Sequence, residues 1–134
     1  MRSLENRKCH DTLIQRLVDD LQGKGYQDIR ADHLPAFAER RPERFYSSAA
    51  EFFFSPDVTA WRQGRECLFE VETEDSLRFT RTREELRTFS VIARERGSLV
   101  YLVVPSELDA EARELLEGLE NKNHRQTFVL SIAV

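Results

Sequence analysis

The sequence predicts an α/β fold, in which a mixed β-sheet lies between helices. Segments whose apolar residues have helical spacing alternate with short β-type segments along the chain. One segment, 98–104, is apolar at almost every position, which is typical of a strand buried on both faces beside a parallel neighbour. The predicted element order is α-β-β-β-α-β-α-β. A chain of 134 residues has the size of one domain, so the single predicted domain covers 1–134.

The first helix is predicted over residues 4–22, because its apolar residues recur on one face and two glycines follow it. These apolar residues are Leu13, Ile14, Leu17, Val18 and Leu21. A short strand is predicted over 26–33. Residues 34–47 contain two prolines and a charged run, so this segment is expected to be an exposed loop or short turns.

A β-hairpin is predicted next. Three consecutive phenylalanines favour a strand over 50–61, Gln63 and Gly64 form a turn, and the chain returns as a second strand over 67–73. Because side chains alternate between the two faces of a strand, Asp57 and Glu70 are expected to lie close together on this hairpin.

The second half of the chain begins with a predicted helix. Thr82 and Glu85 have the spacing of a capping box, which places the start of this helix at Thr82 and its end near Arg96. The remaining predicted elements are a strand over 98–104, a helix over 108–119 and a strand over 128–134. That last strand is strongly apolar, and if it forms a sheet edge, pairing with a second copy would cover it, so a homodimer is a further expectation.

The composition excludes several classes of protein. With 40% hydrophobic and 33% charged residues, the chain has enough apolar material for a core and is not expected to be disordered. A net charge of −4 excludes a uniformly basic nucleic-acid coat protein but leaves room for a local basic patch. No apolar run approaches the roughly 20 residues that span a bilayer, so no membrane association is expected. The first residues lack the apolar segment of a secretory signal, and two cysteines provide neither a disulfide framework nor a CxxC pair, so the expected location is cytoplasmic.

The hairpin carries a candidate metal site. Carboxylates that share one face between phenylalanines repel each other unless a cation neutralises them, and hard divalent cations bind oxygen ligands. Asp57 and Glu70, with Glu72 as a third member, are therefore candidate ligands of Mg²⁺ or Mn²⁺. The alternative interpretation is that Glu70 and Glu72 are ordinary polar positions on a strand with one face in solvent.

The motif of this hairpin resembles that of a known superfamily. Pro56-Asp57, twelve intervening residues and Glu70-Val71-Glu72 are similar to the PD-(D/E)xK, or restriction-endonuclease-like, nucleases, and so is the element order from about residue 8 to residue 134. The chain resembles more closely a set of small uncharacterised proteins that share the segments 56–60 and 70–73. The resemblance implies a restriction-endonuclease-like core in which Asp57 and Glu70, helped by the Val71 carbonyl, hold a divalent metal and hydrolyse nucleic-acid phosphodiesters.

The sequence departs from the superfamily pattern at two positions. Glu72 stands where a lysine usually polarises the attacking water, and a carboxylate can serve there only as an extra metal ligand or as a general base. In the first helix, Ile14 stands where relatives often place a glutamate, with Asp11 nearly one turn earlier. Two functions therefore stay open: a metal-dependent nuclease that uses Asp57, Glu70 and Glu72, or a non-catalytic binding or assembly module that keeps the nuclease fold.

A basic segment follows the acidic strand and is the candidate nucleic-acid surface. Its members are Arg78, Arg81, Arg83 and Arg87. On a helix, Arg83 and Arg87 share one stripe, which could follow the phosphate backbone of DNA or RNA. The alternative is a solvated helix face whose charge is compensated by neighbouring glutamates.

Three residues at the end of the first predicted strand, Arg30, Asp32 and His33, form either a polar rim near the site or the solvated end of a strand. His10 and His124 have no partners at metal-ligand spacing and are expected to lie on the surface.

Overall fold

The fold is a mixed five-stranded β-sheet with helices on both faces. A computed structural model describes residues 2–119 and 126–134. Its helices are α1 (Leu4–Gly23), α2 (Thr80–Arg96) and α3 (Asp109–Gly118). Its strands are β1 (Gln27–Ala31), β2 (Phe45–Ser47), β3 (Phe52–Phe54), β4 (Val58–Arg62), β5 (Arg65–Val71), β6 (Leu99–Pro105) and β7 (Thr127–Ile132). The predicted α/β class with a mixed sheet between helices is confirmed.

The sheet has the strand order β1-β4-β5-β6-β7. Strands β1, β4 and β5 form an antiparallel meander, whereas β6 lies parallel to β5 and β7 lies parallel to β6. The tight turn between β4 and β5 is the predicted one, with positive φ at both Gln63 and Gly64, the pattern of a type I′ hairpin. The predicted parallel neighbour of segment 98–104 is β5, at the centre of the sheet.

Three layers result from this arrangement. Helix α1 buries its apolar stripe against one face of the sheet, where it meets the odd-numbered side chains Phe69 and Val71 of β5. Helices α2 and α3 cover the opposite face. On that face the two-stranded β2–β3 ribbon packs beside α2, through Phe45, Phe54 and Phe89. The even-numbered side chains of β5 point to this second face, and those at its carboxyl end lie under the amino-terminal half of α2.

The predicted strand over 50–61 is wrong as a single element. Its first part is β3, which pairs with β2 in a separate ribbon, and its last part is β4 of the main sheet. Pro56 lies between the two and cannot donate a ladder hydrogen bond, so the chain changes sheets there. Within residues 34–47, the short 3₁₀ helix at Pro35–Phe37 agrees with the predicted short turns, whereas strand β2 was not predicted.

The predicted capping box at Thr82 is also wrong. Helix α2 begins at Thr80 after Phe79, and the Thr82 hydroxyl donates a 2.6 Å hydrogen bond to the carbonyl of Ser76. Thr82 therefore links α2 to the short 3₁₀ helix at Ser76–Arg78 that precedes it. The Glu85 side chain faces the site described below. The predicted end of α2 is confirmed, because Gly97 has the left-handed conformation of a helix C-cap.

Strand β7 forms one edge of the sheet, as the expectation of a homodimer requires, and its Phe128 is 43% exposed. The dimer itself stays a prediction. Among the described residues, no helix is long and apolar enough to cross a membrane.

A buried carboxylate and histidine cluster as the candidate metal centre

Two neighbouring strands bring Asp57 and Glu70 together. Asp57 immediately precedes β4, Glu70 lies near the end of β5, and the pairing of Val58 with Phe69 sets the two carboxyl groups opposite each other. Each of the two carboxyls shifts the pKa of the other. Asp57 is only 6% exposed, and Glu70 and Glu72 are only 3% exposed each. Glu70 and Glu72 are therefore not ordinary polar positions on a solvated strand face.

Asp57 is held by three groups. The backbone N–H of Val71 donates to its Oδ2 over 2.8 Å, His10 Nε2 lies 3.4 Å from the same oxygen, and His33 Nε2 lies 3.4 Å from Oδ1. Burial alone would raise the pKa of Asp57. The hydrogen bonds with Glu70, His10 and His33 outweigh burial and hold this pKa well below its usual range. Asp57 is therefore ionised throughout the physiological range.

Glu70 belongs to a second group of carboxyls on the α2 side. One ligand oxygen each from Glu70, Glu72 and Glu85 lies within 4.8 Å of the others. Burial first, and then the charge of Asp57, raises the pKa of Glu70 well above its ordinary value. Its Oε2 atom is buried and has no hydrogen-bond partner among the described residues. A buried carboxylate oxygen of this kind is costly unless something binds it.

Glu72 is paired with an arginine from the start of the chain. Arg2 Nη2 lies 3.0 Å from Glu72 Oε2 and also donates to the carbonyl of Val71 over 3.2 Å. Even so, burial raises the pKa of Glu72 to about 8, because the hydrogen bond from Ser76 and the Arg2 charge offset only part of this effect. Arg2 thus supplies a positive charge beside the residue that replaces the lysine of the nuclease motif.

These residues fit a hard divalent cation. Asp57, Glu70, Glu72 and Glu85 all line one cleft of about 450 Å³. They supply only oxygen donors, as Mg²⁺ and Mn²⁺ prefer, and an ion there would satisfy the orphaned Glu70 oxygen. A bound cation would also remove the repulsion that keeps Glu70 from ionising beside Asp57.

The predicted arginines are not gathered at this site. Arg81 lines the cleft, where it pairs with Glu85 at 3.2 Å and stacks over the ring of Phe52 at 4.8 Å. Arg78 instead pairs with Glu111 of α3 at 3.0 Å, and together with Arg83 it lines a separate groove. Arg87 is exposed on α2 and does not line the cleft.

The expectation of a surface position for His10 is wrong. His10 is 3% exposed and contacts Asp57 from α1. The signal was present in the sequence, because position 10 lies three and four residues before Leu13 and Ile14, on the apolar stripe of the helix. His124 lies outside the described residues.

Of the two interpretations for segment 30–33, the polar rim is the better one. His33 contacts Asp57, and the backbone N–H of Asp32 donates to the carbonyl of Asp57 over 2.9 Å. Arg30 takes no part, since it pairs with Asp28. His33 has a φ of +69°, an unusual conformation for a residue with a side chain, and its ring turns toward the carboxylate.

Two further site residues gave no signal in the sequence. Glu85 reaches the cluster because the amino-terminal half of α2 packs over the end of β5. Arg2 reaches it because the chain enters α1 across the end of β5. Ile14 stands at the position where the nucleases of the resembled superfamily often carry a glutamate, and it is fully buried in the core. Asp11 contacts His10 Nδ1 at 3.5 Å.

The fold and this site together define an α/β protein with a buried carboxylate cluster at the carboxyl end of its central strand, flanked by two histidines. No family model matches the chain, and no curated protein and no solved structure matches it significantly.

Proposed function

We propose that the protein is a restriction-endonuclease-like, metal-dependent phosphodiesterase that acts on DNA or RNA. The observation that carries this proposal is the orphaned Glu70 oxygen, which lies beside the ionised Asp57 in an open cleft. Asp57 has its two histidine partners, but a structural role alone does not explain a buried Glu70 oxygen that has no hydrogen-bond partner among the described residues.

Asp57 and Glu70 would hold Mg²⁺ or Mn²⁺, with Glu72 and Glu85 near enough to assist. When bound, such an ion supplies Lewis acidity that activates water and stabilises the leaving oxygen of a phosphodiester. The protein's own side chains and backbone would orient the ligands, bind the phosphate and accept a proton. Val71 N–H fixes the orientation of Asp57, and Arg81 faces the cleft, where it can pair with a phosphate. Glu72 is placed to accept a proton, and Arg2 adds positive charge beside it.

One observation favours the second function, a non-catalytic binding or assembly module. The Arg2 guanidinium donates hydrogen bonds to both the Glu72 carboxylate and the Val71 carbonyl, two groups that the nuclease resemblance assigns to the reaction. If this pairing persists in the presence of metal, the cleft keeps its shape without supporting hydrolysis.

We expect the wild-type protein to cleave a nucleic-acid substrate in Mg²⁺ or Mn²⁺ but not in chelator. Single- and double-stranded DNA and RNA are incubated with untagged protein, and the products are separated on denaturing gels. Asp57→Asn and Glu70→Gln should abolish cleavage, because each removes a charged metal ligand. Glu95→Gln, at the exposed far end of α2, is the matched control and should cleave like the wild type.

A wild-type preparation that cleaves no better than Glu70→Gln on any of these substrates would overturn the nuclease proposal. Retained metal binding in that case would leave the binding module as the better account.

A further inference from the structure

We propose that His10, His33 and Asp57 form a second metal site, which takes a transition-metal cation of the Zn²⁺ type. Each residue offers one ligand atom, and these three atoms lie within 4.8 Å of one another. Two imidazole nitrogens and a carboxylate are donors that suit Zn²⁺, Co²⁺ or Mn²⁺, whereas Mg²⁺ prefers oxygen alone. The inference does not depend on phosphodiester cleavage.

The hydrogen bonds that the two histidines make with Asp57 are long, and their length also suits shared coordination of a metal ion. Both imidazole Nε2 atoms lie 3.4 Å from a carboxylate oxygen of Asp57. An N–H···O hydrogen bond is usually about 2.9 Å long. Two ligands of a tetrahedral zinc ion, with bonds of about 2.0–2.1 Å, lie about 3.4 Å apart. Each histidine therefore has the ligand–ligand spacing of a zinc site with one Asp57 oxygen, His10 with Oδ2 and His33 with Oδ1.

The second ring nitrogen of His10, Nδ1, has a carboxylate partner that would orient the ring for metal binding. Its Nδ1 lies 3.5 Å from Asp11, so carboxylates flank the ring on both sides. A neutral imidazole has a single N–H and must turn a lone pair toward one of them. With Nδ1–H directed to Asp11, the Nε2 lone pair faces Asp57, and a cation between them removes the repulsion. Carboxylate, histidine and metal in this order is a frequent arrangement of zinc ligands.

The site is accessible from solvent. His10 is buried, but the His33 side chain is 50% exposed and borders a cleft of about 300 Å³. Arg2 and Arg7 line the same cleft. An ion held by three protein ligands here keeps an open position toward the cleft, and the two arginines favour an anionic group at that position. Asp57 lies between this site and the oxygen site of Glu70.

The test uses the untagged 134-residue protein. It is freed of metal with chelator and then supplied with excess Mg²⁺ to occupy the oxygen site. Co²⁺ is the probe, because its visible absorption reports four- or five-coordinate binding, and competition with Zn²⁺ gives the affinity of zinc. We expect one Co²⁺ per chain. His10→Gln and His33→Gln should each weaken Co²⁺ binding by at least about tenfold, and Asp11→Asn by about tenfold.

His124→Gln, the third histidine of the chain, is the matched control and should leave the cobalt spectrum unchanged. Glu70→Gln should keep the cobalt band while it loses the Mg²⁺ response, so this site and the proposed nuclease site can fail separately. His33 is half exposed, so His33→Gln should fold even if the buried His10 variant does not; circular dichroism checks both.

Absence of a cobalt band in the wild type would overturn the inference. So would a band that survives His33→Gln in the folded protein, or one that disappears only with Glu70→Gln.

Discussion

The metal-free protein should lose roughly 5 kcal/mol of unfolding free energy as the pH rises from about 4 to about 9, through the ionisation of Glu72. Burial raises the pKa of this carboxyl from 4.5 to about 8, and the negative charges of Asp57 and Glu85 act in the same direction. A carboxyl whose pKa is higher in the folded state stabilises the fold below its unfolded pKa. That contribution disappears as the pH rises through the folded pKa, at about 1.4 kcal/mol for each pH unit between the two values.

Other groups at the site change with pH as well. The raised pKa of Glu70 destabilises the folded state in the same direction. The pKa of His33 is raised by its hydrogen bond with Asp57, so its contribution also disappears at high pH. Asp57 acts oppositely, because its pKa is depressed and its contribution is lost only in strong acid. Between pH 5 and pH 8 the stability of the metal-free protein should therefore fall steadily.

Urea unfolding in chelator at pH 5, 6, 7 and 8 measures this slope. Glu72→Gln should flatten the profile, since the amide stays neutral and its oxygen can still accept from Arg2. Glu95→Gln should keep the wild-type slope, as an exposed glutamate contributes little. If wild type and Glu72→Gln have the same slope, Glu72 is not buried as its contacts indicate.

Much of the fold follows from patterns that act locally. The apolar stripe of α1, the turn at Gln63-Gly64 and the end of α2 near Arg96 each depend on neighbouring residues in the chain, and the sequence predicts all three. Elements that depend on distant partners are harder. Strand β3 exists as a separate ribbon only because β2, a three-residue strand, lies beside it. Thr82 caps no helix because the Ser76 carbonyl, six residues earlier, takes its hydroxyl.

The residues of the candidate site likewise fall into those that local patterns predict and those that depend on distant parts of the chain. Asp57 and Glu70 could be paired from strand alternation alone, because both belong to one hairpin. His10, Arg2 and Glu85 come from the first helix, the residues before it and the second helix, and only the three-layer packing brings them to the end of β5. A buried histidine on an apolar helix stripe is nevertheless a signal that sequence reasoning can use, since it needs a partner inside the fold.

Added Mg²⁺ or Mn²⁺ should stabilise the wild-type protein, and Glu70→Gln should abolish this effect. At a free ion concentration of 100 times Kd, binding to the folded state alone adds about 2.7 kcal/mol. For a chain of 134 residues this corresponds to a rise of roughly 10 °C in melting temperature. Millimolar concentrations of the ion are appropriate, because carboxylate sites for Mg²⁺ are often weak.

The melting temperature of metal-free Glu70→Gln provides a second, independent comparison. The wild-type carboxyl is held between burial and the charge of Asp57, and one of its oxygens has no partner among the described residues. An amide avoids the charge, so the metal-free variant should melt at or above the wild-type temperature near pH 8. Calorimetry of both proteins and of Glu95→Gln, each with and without metal, gives the comparison. A variant that is more stable without metal but unresponsive to it identifies Glu70 as a residue kept for binding at the expense of stability. A wild-type protein that also fails to respond would mean that the cluster holds no hard cation, and the binding module would then be the better description of this fold.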